Sequence, residues 1–353
     1  MLFVAFAFTV WACSIPVFRY ALDRWPADPF VLEIAPADAK DEAIARFLRN
    51  FGTATPLNLQ IVRLPADPAK SSRLLPPHAD ETGAAPVWSG KLDTAALAQL
   101  TNSPARSEIV RRILAGETAV WVLVESGDRA ADDAAAAKLA KRLAFLQNVA
   151  QLPVIDPSDP TSRLGPGPKL AVKFSVLRTG APASSTARTA DASQRAVLEA
   201  CAPNLESAFL AMLAGPKSGL ASSREPWVAA VFGRGRVLGA WPAKGFGDEQ
   251  IEEVCLFLLG ACSCQVKKLN PGWDLLLHAD WDEQLRAIGY QPSETSSVAG
   301  APRNASLQPE TVSFSGGDSR PIASTSRREA VVLGGGALLL VVLGGLAWRR
   351  FTS

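Results

Sequence analysis

The stretch that most constrains this chain is the apolar run Ala330–Trp348, which Arg349 and Arg350 follow directly. Its nineteen residues contain no charge. At about 1.5 Å per residue, a helix of that length comes close to the roughly 30 Å hydrocarbon layer of a membrane. Its five glycines are tolerable in lipid, where a helix satisfies its own backbone hydrogen bonds. A buried core helix is the alternative, but so long a charge-free run is unusual in one. We therefore expect a single C-terminal transmembrane helix.

Residues 290–329, directly before this run, are dense in Ser, Thr, Pro, Gly and Ala and hold few large apolar side chains. Such a segment cannot bury enough surface to fold, so we expect a disordered linker. A flexible chain of about forty residues spans on the order of 35 Å. That reach would hold a folded region near a membrane without pressing it into the bilayer. Residues 349–353 would form a short tail.

The amino end carries a second apolar run, residues 2–12, of the length of a signal-peptide core. It lacks the usual positively charged start, but Cys13 follows it as the lipid-bearing cysteine follows a bacterial lipoprotein signal. We expect residues 1–13 to be a signal-like segment, with Cys13 near the cleavage point. Two alternatives stay open. Cys13 and Pro16 form a Cys-x-x-Pro pattern at a helix start, where a thiolate would be stabilised as in thioredoxin-like proteins, or the run is a buried strand or a plain anchor.

An export signal at one end and a stop-transfer segment at the other predict that the region between them lies outside the cytoplasm. We therefore expect a single-pass membrane protein whose folded region is periplasmic. The arginines after the apolar run agree with a cytoplasmic tail. Three arginines before it, Arg320, Arg327 and Arg328, weaken that signal.

Composition and spacing exclude several functions. The 36 basic and 34 acidic residues leave a formal charge of +2, so the basic bias typical of a nucleic-acid-binding protein is missing. The two histidines, His78 and His278, limit catalysis and metal binding by imidazole. The glycines at 233, 235 and 239 lack the spacing of a dinucleotide-binding fingerprint. We expect no cofactor.

Strands and helices alternate through a first unit, residues 14–155. Periodicity predicts, in chain order, a strand at 30–35, a helix at 38–51, a strand at 57–64, a loop at 65–86, a helix at 92–100, a helix from 103 to 116, a strand at 118–125 and a helix at 132–149. Ser103 followed by Pro104 is typical of a helix start. The strand at 118–125 is nearly all apolar, as expected of a strand buried on both faces.

A second unit, residues 156–289, has a similar pattern. It predicts a strand at 169–177, a helix at 192–213, a hairpin of strands at 226–232 and 237–241, and a helix at 249–259. Both units contain a helix that ends in Ala-Gly, an apolar strand, a glycine turn and a further helix. We therefore expect an α/β fold made of two thioredoxin-like β-α-β-β-α units.

Cysteines are the candidates for chemistry. Cys262 and Cys264 form a Cys-x-Cys pair, with Cys255 about two helical turns before it and Cys201 in the preceding helix. Adjacent thiolates suit a redox pair or a Cu(I) site, and two nearby lysines would lower their pKa. The cysteines also suit structural pairing or burial as small apolar side chains. A metal is therefore left open, and a single Cys-x-Cys does not supply a zinc site.

Two clusters of polar residues are weaker candidates for a functional site. Four acids, Glu125, Asp128, Asp132 and Asp133, follow the apolar strand at 118–125, where ligands bind in α/β sheets, but acids also favour the first turn of a helix. The segment 278–282, His-Ala-Asp-Trp-Asp, resembles a loose metal or acid–base cluster. No serine that could act with this histidine is identified, so we assign no catalytic residue.

Two segments carry a resemblance to known proteins. CSIPVFRYALDRWPADPF at 13–30 and GACSCQVKKLNPGWDLLL at 260–277 resemble an uncharacterised family of bacterial exported proteins, which open on a cysteine and carry a late Cys-x-Cys. The resemblance covers much of residues 13–285. It implies export, and it implies no activity.

Together these features predict a membrane-anchored, extracytoplasmic binding or accessory module, and they favour a non-catalytic role over that of an enzyme. Its expected partners are the membrane and another membrane or envelope protein, without nucleic acid. The alternative is a thiol–disulfide redox or copper-handling protein that uses Cys262 and Cys264.

Overall fold

A computed structural model describes residues 14–51, 56–65, 70–156, 158–180, 206–215, 219–262 and 265–290. The expected signal-like segment, nearly all of the expected linker and the expected transmembrane helix lie outside these ranges. Within them, no helix has both the length and the apolar character that crossing a bilayer requires. The described part is a mixed α/β fold with two sheets.

Helices flank both sheets. They are α1 Val17–Arg24, α2 Glu42–Asn50, α3 Ala79–Thr82, α4 Thr94–Thr101, α5 Pro104–Leu114, α6 Arg129–Val149, α7 Ser207–Ala214, α8 Asp248–Leu259 and α9 Trp281–Ile288. Their starts follow capping rules. Asp41 accepts hydrogen bonds from the backbone N–H groups of Ala43 and Ile44 at the start of α2. Ser103 accepts one from Arg106 at the start of α5, as the Ser-Pro pattern predicts.

The first sheet has the strand order β2-β1-β3-β4. Its strands are β1 Phe30–Ile34, β2 Leu59–Arg63, β3 Ser72–Leu75 and β4 Trp88–Gly90. β1 and β2 are parallel and are joined through α2, whereas β3 is antiparallel to both β1 and β4. The β-α-β start was predicted correctly.

The prediction of a loop at 65–86 was wrong, because β3 and α3 lie in that stretch. The prolines at 65, 68, 76 and 77 obscure a four-residue strand whose alternate residues, Ser72 and Leu74, are fully buried. Pairing with β1, about forty residues earlier, makes this segment a strand.

The second sheet has the order β6-β5-β7-β8-β9. Its strands are β5 Ala119–Val124, β6 Phe174–Thr179, β7 Trp227–Phe232, β8 Arg236–Pro242 and β9 Trp273–Asp274. β5 and β6 are parallel and joined through α6, and β7 and β8 form the expected antiparallel hairpin. β5 lies inside this sheet, beside β6 and β7, although the division at residue 155 assigned it to the first unit.

Two apolar clusters pack on the two faces of β5, and one of them extends to the first sheet. Alternate residues of β5 face opposite sides: Val120, Val122 and Val124 join a cluster that includes the first sheet, α5 and α7. Trp121 and Leu123 join a second cluster with α1, α6 and α8. All six residues of β5 are buried, as expected of a strand covered on both faces.

Candidate functional site

A groove of about 380 Å³ is the main candidate site. It is lined by residues within 28–30, 76–87, 211–215 and 267–274, together with Arg236. These stretches bring the segment after β3 against the short 3₁₀ helix Lys267–Leu269 and the edge strand β9. The volume lies in the range of small-molecule and peptide-side-chain sites.

Part of the groove lining is apolar. Phe30 and Met212 are buried, and Trp273 is half-buried. The indole Nε1 of Trp273 donates to the backbone oxygen of Met212 at 2.8 Å, which orients the ring. A Trp held in this way offers a large rigid contact surface at low entropic cost.

The charged part of the groove is centred on Asp274, whose side chain is 2% exposed. Its carboxylate accepts hydrogen bonds from Lys267 Nζ, from Arg236 Nη1 at 3.2 Å and from the backbone N–H of Asp28 at 2.6 Å. Lys267 Nζ also lies 3.0 Å from Asp28 Oδ2 and donates to the Pro26 oxygen at 2.5 Å. These charges neutralise one another.

His78 stands at the groove with a φ of 57°, the left-handed conformation that a residue with a side chain rarely adopts. Its Nε2 lies 3.5 Å from Asp28 Oδ2 and its Nδ1 lies 3.7 Å from Glu81 Oε1. The one hydroxyl in the lining, Thr82 Oγ1, donates to the His78 oxygen. The described lining therefore contains no nucleophile paired with this imidazole.

The structure describes two of the five cysteines. Cys255 is fully buried in α8, and burial raises the pKa of its thiol to about 12. Cys262 is 1% exposed, and its backbone N–H donates to the Ile15 oxygen at 2.8 Å. Cys13, Cys201 and Cys264 lie outside the described residues, so the Cys-x-Cys pair stays a prediction. A buried thiol of high pKa is a poor nucleophile, so Cys255 fits the interpretation of a small apolar core side chain.

The acids after β5 stabilise the turn into α6. Asp128 accepts from Ala130 and Ala131 N–H at the helix start, and Asp132 accepts from the N–H groups of Ser126 and Gly127. These are structural roles.

The remaining two acids share Arg178. Its guanidinium binds Glu125 and, at 2.8 Å, Asp133. Burial raises the pKa of Glu125, even though Arg178 opposes the shift.

The segment 278–282 does not form a catalytic cluster. His278 is exposed, Asp280 caps α9 by accepting from Glu283 N–H, and Asp282 pairs with Arg234 at 2.8 Å. Across the described ranges, no three His, Cys, Asp or Glu side chains lie together as a metal site would require.

Comparison with known proteins finds no significant match among protein-family models, curated proteins or solved structures. Sequence reasoning missed the groove: Asp28, His78 and Asp274 are far apart in the chain, and no motif or spacing connects them.

Proposed function

We propose that this chain is a membrane-anchored, extracytoplasmic binding module without catalytic activity. The observation that carries the proposal is the groove, in which apolar side chains stand beside the paired charges of Asp28, Asp274, Lys267 and Arg236. Such a lining suits recognition, because a buried aromatic surface surrounded by paired charges is typical of binding hot spots. It gives less support to catalysis, because the hydroxyl of Thr82 in the described lining donates to the His78 backbone oxygen and is not paired with the imidazole.

We further infer that the two sheets are two thioredoxin-like units. Each has a parallel β-α-β pair followed by two antiparallel strands, in the orders β2-β1-β3-β4 and β6-β5-β7-β8. Redox members of that fold carry a Cys-x-x-Cys pair at the start of the helix after the first strand. The corresponding stretches here, residues 35–41 and 125–128, contain no cysteine. This absence supports a non-catalytic role.

The proposed partner is another membrane or envelope protein. The apolar run at 330–348 would fix the chain to the bilayer, and a forty-residue linker would let the folded region search on the order of 35 Å. Within that reach the groove meets proteins of the same membrane at high effective concentration. A modest groove can then suffice for specific binding.

The partner experiment uses a photo-crosslinking amino acid at Lys268, an exposed residue of the groove, in the full chain in its membrane. We expect one discrete adduct, and we expect Glu81→Arg in the groove to weaken it. The same crosslinker at exposed Lys91, which is not part of the lining, and the exposed variant Glu249→Arg are the controls. Equal adducts from both positions would contradict the proposal.

Topology needs a separate experiment. We expect alkaline carbonate to leave the chain in the membrane fraction, and protease added outside the cytoplasmic membrane to cleave within residues 290–329. A chain that carbonate extracts, or that is cut only after the cytoplasmic membrane is lysed, would refute the anchored periplasmic arrangement.

The alternative is a redox or copper-handling role for Cys262 and Cys264. The burial of Cys262 gives it less support. The variant Cys262→Ser/Cys264→Ser decides between the two proposals. Retention of the Lys268 adduct supports the binding module, whereas its loss with folding intact supports a thiol function.

A further inference from the structure

A second cavity, of about 230 Å³, opens at the start of α5. Its polar lining consists of Thr101, Asn102, Ser103, Arg106, Ser107 and His278, and it shares no residue with the groove. At roughly 30 Å³ per water molecule, the cavity has room for about seven waters. A small ligand of several heavy atoms fits that space.

Arg106 is the charged group of this cavity, and it is 3% exposed. Its Nη1 donates to the Leu276 oxygen at 2.6 Å and its Nη2 to the Leu100 oxygen at 2.9 Å. Its Nε has no hydrogen-bond partner in the described part of the chain. Burial lowers the pKa of Arg106 to about 10, so the guanidinium stays charged at neutral pH. The Nε atom has less than 1 Å² of accessible surface, so Arg106 acts on the cavity through its charge, which favours an anionic ligand.

Glu206 is the acidic group facing this helix start. Its Oε2 accepts from Ser103 Oγ at 2.7 Å and its Oε1 accepts from Ala105 N–H at 3.2 Å. The guanidinium of Arg106, together with the roughly half unit of positive charge at the start of α5, exceeds this one carboxylate by about half a unit. The cavity therefore keeps a positive balance.

The remaining polar groups of the cavity are also able to donate. Within the described ranges, the side chains of Asn102, Ser107 and His278 make no hydrogen bond. An amide, a hydroxyl and an imidazole can each give a hydrogen bond to one acceptor. All three residues are exposed, so beside the buried charge of Arg106 they offer the cavity three donors that a ligand can reach.

We propose that this cavity binds a small oxyanion, the carboxylate or phosphate group of a small molecule. An oxyanion supplies several acceptor lone pairs and the negative charge that the local balance favours. Hydrogen bonds to an ionised acceptor are about twice as strong as neutral ones. This site is separate from the groove, so it does not depend on the proposed partner binding.

The test is calorimetric titration of the full chain in detergent with inorganic phosphate and, separately, with acetate at constant ionic strength. We expect saturable one-to-one binding of at least one probe. The tighter probe identifies the group as phosphate or carboxylate. The variant Asn102→Ala/Ser107→Ala should weaken binding about tenfold or more, because it removes two hydrogen bonds.

The control is Gln60→Ala/Ser89→Ala, which changes two exposed residues outside the cavity and should bind as the unaltered chain does. His278→Ala is a second, independent variant and should also weaken binding. Absence of saturable binding by both probes would overturn the proposal. So would unchanged affinity in both cavity variants, with their folding verified by circular dichroism.

Discussion

Removal of the Asp274 carboxylate tests whether the groove depends on its buried charge network. Asp274 holds Arg236, whose side chain is 7% exposed, and Lys267, whose side chain is 12% exposed. In Asp274→Ala both cations lose their shared partner, and Arg236 stays buried. The variant should therefore unfold more easily and lose the geometry of the groove.

The magnitude follows from the contacts that remain. Breaking a buried ion pair by deleting one partner costs about 3–5 kcal/mol. Lys267 would keep Asp28 at 3.0 Å, and Arg236 would keep the backbone oxygens of Pro271 and Asn270 at 3.0 and 2.9 Å. These contacts place the cost at the lower end, about 3 kcal/mol. For a domain of this size that is roughly 6–12 °C in Tm.

The assay is urea unfolding of the full chain followed by tryptophan fluorescence. We expect the urea midpoint of Asp274→Ala to fall by about 1 M or more. Asp274→Asn keeps the shape of the side chain, so its midpoint should lie between those of the unaltered chain and Asp274→Ala. The control Glu225→Ala removes an exposed pair with Lys244, at 3.7 Å, and should cost less than about 1 kcal/mol. If Asp274→Ala shifts the midpoint no more than this control, the buried Asp274 carboxylate does not stabilise the fold through Arg236 and Lys267.

Three further predictions concern single positions. Gly272→Ala would place a Cβ 2.2 Å from the Val237 oxygen. The matched control is Gly245→Ala, since Gly245 has a similarly positive φ and open space around it. Urea unfolding should show that Gly272→Ala lowers the free energy of unfolding by about 2 kcal/mol more than the control does. The raised pKa of Glu125 means that the folded state holds the Glu125 proton more tightly than the unfolded state does. The free energy of unfolding should therefore fall as pH rises above 4.5, the ordinary pKa of a glutamate. Urea denaturation at several pH values should show this loss in the unaltered chain and not in Glu125→Gln. Cys255 should resist iodoacetamide in the folded chain and react once urea exposes it. Rapid labelling of Cys255 itself in the native protein, assigned by peptide mass spectrometry, would contradict its burial and its high pKa.

Features with local causes followed from the sequence. The start of α5 at Pro104 was predicted because the Ser103 cap and the proline lie next to each other in the chain. The burial of β5 was predicted because six apolar residues in a row leave no polar face. In both cases the residues that decide the structure are neighbours.

Features with distant causes did not follow. β3 lies among prolines, and its identity as a strand depends on antiparallel pairing of Ser72–Leu75 with β1. The placement of β5 in the second sheet depends on its pairing with β6 and β7, which no local pattern encodes. A sequence period identifies the strand, but the partner strand is chosen by packing across the whole core.

The groove also depends on residues that are far apart in the chain. Asp28 and Asp274 are 246 residues apart, yet the backbone N–H of one donates to the carboxylate of the other at 2.6 Å. Burying so many charges brings little stability by itself, since their desolvation offsets most of their attraction. Their effect is geometric: Lys267 and Arg236 are held by one carboxylate, and Trp273 stands beside them in β9. Because those charges are already paired, a ligand gains little from competing for them. Selectivity in the groove should therefore come from the shape of the apolar surface around Trp273 and from the exposed residues Glu81 and Lys268.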